Sequence, residues 1–250
     1  MKKLSYLLIL SGLVSVSAIA ADSPHTIGFN VGVTTDYIFR GISQSQHDPA
    51  ISGGVDYSHA SGLYAGAWLS TQKWVETGPK SDSDFELDIY GGYKGTAGDI
   101  GYDVGLIRYS YDGDKVAGWA TPNTTEAYLG ISWKMLSLKY SHTISDYFVA
   151  WTGTTLADKT RGSNYLELNA THDLGDGWGL LGHVGHQKVK HDDFNNASYT
   201  DWKVGVTKDV GFGVATLAYS DTDGDGDVAY RWSGEDVAKG VLALSFSKSF

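Results

Sequence analysis

The last ten residues, Val241–Phe250, constrain this chain most. Leu242, Leu244, Phe246 and Phe250 share one parity, and Ala243, Ser245, Ser247 and Ser249 share the other. Period-two alternation places these sets on opposite faces of a β-strand, one greasy and one small and polar. Soluble domains rarely finish on such a strand with an exposed Phe. The closing strand of a bacterial outer-membrane β-barrel commonly does, and the assembly machinery reads that strand. Lys248 interrupts the greasy face near its end, where a long stem can snorkel to a membrane interface.

The N-terminus points the same way. Met1-Lys2-Lys3 is a short basic start, Leu4 to Val16 is mostly apolar, and Ala18-Ile19-Ala20 is a small-x-small cleavage site. This pattern reads as a Sec-type signal peptide over residues 1–20, too short in its apolar part for an anchor. A single barrel domain is then expected over residues 21–250, in the outer membrane of a Gram-negative bacterium.

Composition fits that domain. The 19 Lys+Arg against 29 Asp+Glu make the chain acidic, and loss of Lys2 and Lys3 makes it more so, which disfavours nucleic acid as a partner. With no cysteine, neither a disulfide framework nor thiol chemistry is available. The 32 glycines, set among Tyr and Trp in alternating segments, are a barrel-like mixture. Mean hydropathy of −0.21 does not oppose this, because half of each barrel strand faces a polar lumen.

Twelve candidate strands follow from the alternation: 26–34, 49–59, 63–71, 85–94, 100–109, 125–134, 138–146, 164–173, 178–188, 199–208, 212–220 and 240–250. Most have the roughly ten residues that a tilted strand needs to cross a bilayer. Leu87, Ile89 and Tyr93 oppose Glu86, Asp88 and Tyr90; Leu166, Leu168 and Ala170 oppose Tyr165, Glu167 and Asn169. The third, ninth and eleventh segments carry apolar residues on both parities, so their facing stays open. Alternation by itself also fits a soluble sandwich. The connections discriminate. Short ones (60–62, 95–99, 135–137, 174–177, 209–211) alternate with long ones (35–48, 72–84, 110–124, 147–163, 189–198, 221–239). That is the pattern of an all-β, up-and-down antiparallel transmembrane barrel of about twelve strands, with long loops outside. Trp74, Tyr109, Tyr111, Trp133, Tyr147, Trp178 and Trp202 gather near strand ends, where interfacial aromatic girdles are expected.

Residues 30–45, Asn-Val-Gly-Val-Thr-Thr-Asp-Tyr-Ile-Phe-Arg-Gly-Ile-Ser-Gln-Ser, are distinctive, as are Pro49-Ala50, Gly53-Gly54-Val55-Asp56-Tyr57 and Ser61-Gly62-Leu63-Tyr64-Ala65-Gly66. With the acidic run 221–227 and the Phe-ending strand, they make the mature chain resemble the TorF family of proposed porins, a proteobacterial family of unknown function. The resemblance implies an outer-membrane location and a pore. It brings no substrate and no catalytic residues.

Charged positions on the inferred inner faces are Asp56, Glu86, Asp88, Glu126, Lys139, Glu167 and Lys203. Their acidic excess is expected to line a lumen favouring cations or neutral solutes. The opposing reading is a packed interior in which they pair. Arg40, in the first long loop, either folds inward at a constriction or anchors its loop. Asp221, Asp223, Asp225 and Asp227, with Gly226 at the sixth position, resemble half a calcium loop, but Trp232 stands where the bidentate Glu belongs. A solvated acidic turn is the competing reading, and Ca2+ is the one cofactor considered. His183 and His186 fall on opposite strand faces and cannot readily share a metal, and Ser141 and His142 point apart. No nucleophile elbow, zinc helix or phosphate loop is present.

The sequence therefore reads as a non-enzymatic outer-membrane channel passing small solutes passively. Its partners are membrane lipids, the barrel assembly machinery through Phe250, and the solutes. A plugged or loop-binding barrel is the alternative. A barrel-embedded lipid hydrolase would need a lipid-facing Ser–His pair that the sequence does not assemble.

Overall fold

Alternating apolar residues end up outside in this molecule. Its computed structural model describes residues 23–76, 79–191, 196–224 and 226–250; the expected signal peptide, residues 1–20, lies outside them. Twelve antiparallel strands close into one barrel. In chain order they are β1 His25–Thr34, β2 Ala50–His59, β3 Leu63–Thr71, β4 Phe85–Ala97, β5 Ile100–Tyr111 and β6 Thr124–Trp133. Then follow β7 Leu136–Thr143, β8 Asn164–Gly175, β9 Trp178–Lys188, β10 Tyr199–Asp209, β11 Val214–Thr222 and β12 Val241–Ser249. Each strand pairs with the next, and β12 returns to β1 with Asn30 opposite Ser249 and Val33 opposite Phe246. Phe250 extends this seam, its N–H donating to the Phe29 carbonyl (2.9 Å) and its carbonyl accepting from the Phe29 N–H (3.2 Å). Closure leaves no strand edge to satisfy.

The expected strands match these to within a few residues, and the differences lie at the turns. β4 continues to Ala97 and pairs there with Ile100, so the turn is tighter than 95–99. Lys134 takes a positive φ of 52°, which lets Leu136 and Ser137 join β7 rather than the turn. β11 begins at Val214 and runs to Thr222, taking Asp221 out of the expected loop.

On the outer face Ile27, Ile89 and Leu129 are 62 %, 57 % and 56 % exposed, and Val31, Val104, Leu168, Val204 and Leu244 continue the same surface. A water-soluble fold would bury these side chains. The three segments left open now have a facing. Leu63 and Leu69 point out while Ser70 is buried inside; Leu180 and Val184 point out while Gln187 is buried inside; Leu217 and Tyr219 point out while Ser220 is buried inside.

Lys134 and Lys208 lie over the rings of Trp133 and Trp178 (4.4 and 4.7 Å) at the short-turn rim, and Trp202 packs on Tyr219 (5.5 Å) on the outer face. Trp74, Tyr109 and Tyr111 do not belong to such a girdle. They are buried and cluster with Val75 at the long-loop end, packed against Phe39 and Trp232. Tyr109 and Tyr111 have inward parity, which sends them into the barrel mouth.

Candidate functional site: the inner wall and its hairpin

Every strand residue expected to line the interior sits on an inward-facing position. Asp56 accepts hydrogen bonds from Tyr90 Oη (2.6 Å) and Asn30 Nδ2 (3.2 Å). Glu86 accepts from Tyr37 Oη (3.0 Å), and Glu167 from Asn169 Nδ2 (2.9 Å). Lys139 stands opposite Glu167 in register and lies over the Tyr128 ring (4.5 Å). Lys203 stands opposite His183. Asp88 lies between Trp68 on β3 and Tyr109 on β5, and its Oδ1 has no hydrogen-bond partner.

The same wall holds residues that the sequence analysis passed over. Asp103 accepts from Tyr64 Oη (2.6 Å), which also contacts Tyr128 Oη. Asp201 accepts from Tyr165 Oη (2.8 Å) and lies 2.9 Å from His183 Nε2. His183 is therefore part of an inner network rather than an ordinary wall residue; its Nδ1 is 2.6 Å from Asn169 Oδ1. Lys94 lies over the Tyr64 ring (5.4 Å). Parity with their neighbours was the available signal for Asp103 and Asp201. The tyrosines gave none, because nothing local tells which hydroxyl meets which carboxylate.

These tyrosines lie along the wall instead of filling the lumen. A Cβ on Gly66 would meet the Tyr90 ring at 2.5 Å, and Gly185 is likewise covered by Tyr165. Glycine on the adjacent strand is what lets each ring lie flat and deliver its hydroxyl to an acid.

The first long loop folds inward. Ile38–Phe39 and Ile42–Ser43 form a small hairpin whose tip is Arg40–Gly41, with φ of 48° and 79°. Positive φ at both tip residues is the tight-hairpin geometry that Gly favours. Arg40 Nη1 and Nη2 donate to Glu126 Oε1 (3.1 Å) and Oε2 (2.7 Å), and Nη1 also donates to Gln187 Oε1 (2.9 Å). The guanidinium is walled by Tyr165 (4.4 Å), Phe39 (4.8 Å) and Phe148 (5.8 Å). Burial opposes its charge, yet Glu126 holds its pKa above the ordinary arginine value. Tyr37, at the hairpin's base, packs edge-on against Trp68 (5.5 Å). Between them these contacts tie the hairpin to β3, β4, β6, β8 and β9.

Among the described residues of the acidic run, Asp221, Asp223 and Asp227 do not group as metal ligands. Asp221 faces outward beside Tyr219, Asp223 Oδ1 accepts from the Thr200 N–H (2.7 Å), and Asp227 Oδ2 accepts from Asn196 Nδ2 (3.1 Å). Asp225 lies outside the described residues. Among the described residues no three His, Cys, Asp or Glu side chains group as metal ligands. Ser141 is buried inside while its neighbour His142 sits on the opposite face. His59 Nδ1 lies 2.7 Å from Ser61 Oγ at a short turn, a local contact that no carboxylate among the described residues supports.

Residues 18–250 match a bacterial protein family of unknown function, Gcw_chp. No curated protein sequence matches the chain. In three dimensions the chain is similar to the NanC porin, with a TM-score of 0.54 and 12 % identity over 90 % of this chain and 99 % of that one. It is also similar to the KdgM porin (TM-score 0.52, 8 % identity, 90 % and 97 % coverage) and to a KdgM porin in complex with disordered oligogalacturonate (0.53, 9 %, 90 % and 98 %). At these identities the shared property is the barrel fold.

Proposed function

This chain belongs to the Gcw_chp family of bacterial proteins, and from that footing we propose that it is an outer-membrane channel passing small neutral or cationic polar solutes by passive diffusion. One observation carries the reading: the barrel is greasy outside and lined inside by carboxylates. Asp56, Glu86, Asp88, Asp103, Glu126, Glu167 and Asp201 outnumber Lys94, Lys139, Lys203 and Arg40. Fixed carboxylates attract cations and repel anions in a confined pore. Oligogalacturonate, bound by one structural neighbour, is a polyanion, and this inner wall disfavours such a ligand. The resemblance of the mature chain to the TorF family of proposed porins supports the pore, not its selectivity.

The test is a planar bilayer holding the refolded mature protein under a potassium chloride gradient. Discrete steps with a cation-favouring reversal potential are expected, together with a shift toward non-selectivity in Asp103→Asn/Glu167→Gln. An anion-favouring potential would reject the acidic channel.

A second reading has its own observation. The hairpin at Arg40 reaches across the mouth and is bonded there, as in a plugged barrel whose loops meet a partner. A folded barrel that never conducts would select it.

A further inference from the structure

Glu86 and Asp88 lie two residues apart on β4, face the interior and are 2 % and 7 % exposed. Among the described residues neither has an ion-pair partner: Arg40 is bound to Glu126, and Lys139 stands opposite Glu167. Glu86 takes the Tyr37 and Tyr111 hydroxyls and shares a hydrogen bond with the Asp88 carboxyl, while Asp88 Oδ1 takes nothing. Two adjacent buried carboxylates without a cation cannot both keep their charge cheaply. The surroundings suit a particular kind of cation. Trp68 and Tyr109 are the register neighbours of Asp88 on either side, Tyr90 follows on β4, and Tyr37 packs over Trp68.

We infer that Glu86 and Asp88, walled by Trp68, Tyr109 and Tyr37, form a binding site for a small primary ammonium group. Its N–H groups would bond Asp88 Oδ1 and Glu86, and its alkyl carbon would lie against the rings, whose faces attract cations. A divalent metal is a poorer match. Calcium needs six or more oxygen ligands and magnesium a close octahedron, and no third carboxylate or histidine joins these two among the described residues to complete a set for these or for a transition metal. The inference names a solute class, small amines, for the proposed channel. It rests on that reading for the route of entry and not for binding.

The experiment is calorimetric titration of the folded mature protein in detergent with methylammonium chloride, beside sodium and potassium chloride at equal ionic strength. Saturable one-site binding of methylammonium is expected. Asp88→Asn should weaken it by about tenfold or more, the loss of one charged hydrogen bond. Glu86→Gln, a second variant should the first fail to fold, should also weaken it. Asp99→Asn, at an exposed carboxylate in the turn between β4 and β5, should not. Absence of saturable binding, or undiminished binding by folded Asp88→Asn, overturns the site. Equally tight sodium or potassium binding overturns the ammonium assignment. Bilayer recordings on the same preparation separate the two ideas: binding without conductance sinks the channel alone, and conductance without binding sinks the site alone.

Discussion

At the scale of single residues, Arg40 and Glu126 are the most consequential pair. Their side chains are 7 % and 0 % exposed and joined at 2.7 Å. Removing one partner strands the other charge away from water. Arg40→Ala should therefore destabilise the folded protein by about 3–5 kcal/mol. Replacing both, as Arg40→Met with Glu126→Leu, should recover most of that loss, because the orphaned charge goes with its partner. Urea unfolding in lipid vesicles measures both, and a double variant as unstable as the single one would contradict the argument. The outer face obeys the opposite rule. Leu129, 56 % exposed in mid-strand, stands between Val104 and Tyr140 on the outer face, neither of which carries a charge to pair with one placed there. Leu129→Arg should cost about 2–4 kcal/mol if hydrocarbon covers that position, and close to nothing if water does. The same unfolding assay tells these apart. Lys248 shows how a native charge is tolerated there: its ammonium lies over the Phe250 ring at 4.8 Å, near the strand's end.

At the scale of elements, the hairpin inside the barrel mouth is independent of the strand ladder that holds the barrel closed. A Cβ on Gly41 would meet Asp201 Cβ at 2.5 Å and Thr222 Cγ2 at 2.7 Å, at a φ of 79°. Gly41→Ala should push the hairpin off the wall while leaving the twelve-strand barrel folded. The expected readout is a larger single-channel conductance with unchanged heat-modifiable migration on gels. Gly118→Ala is the control, since its φ of 88° carries the same backbone strain with nothing within 4 Å. Equal effects from both would mean that strain matters and the hairpin's placement does not. This element also marks where sequence legibility stops. Strands such as Glu86–Tyr93 were readable because alternation is local, and the inward carboxylates followed from parity. The bond between Arg40 and Glu126 spans 86 positions and leaves no periodic trace, so the sequence left Arg40 between two roles. Tyr109 and Tyr111 were misplaced for a related reason. Position near a strand end suggested a girdle, whereas their inward parity, shared with Ile107, decided the outcome.

At the scale of the whole molecule, the barrel exists only if its first and last strands meet. Five register pairs from Asn30↔Ser249 to Thr34↔Ser245 make that seam, and the two Phe29–Phe250 backbone bonds extend it. The outward Phe250 side chain, 59 % exposed, adds little packing of its own within the barrel. Backbone closure and aromatic recognition are therefore separable. Phe250→Ala keeps both backbone bonds and should refold into vesicles as well as the native chain. Deleting Phe250 removes them, at about 0.5–1.5 kcal/mol each, and should lower the folded fraction and its stability. In cells the ranking should change if the assembly machinery reads the aromatic: Phe250→Ala should then accumulate unfolded in the periplasm despite its competence in vesicles. Folding assays in vesicles and gel migration of cell envelopes supply the two measurements. Normal assembly of Phe250→Ala in cells would confine the residue's role to the seam, whereas failure in both settings would show that the ring itself is needed to close the barrel.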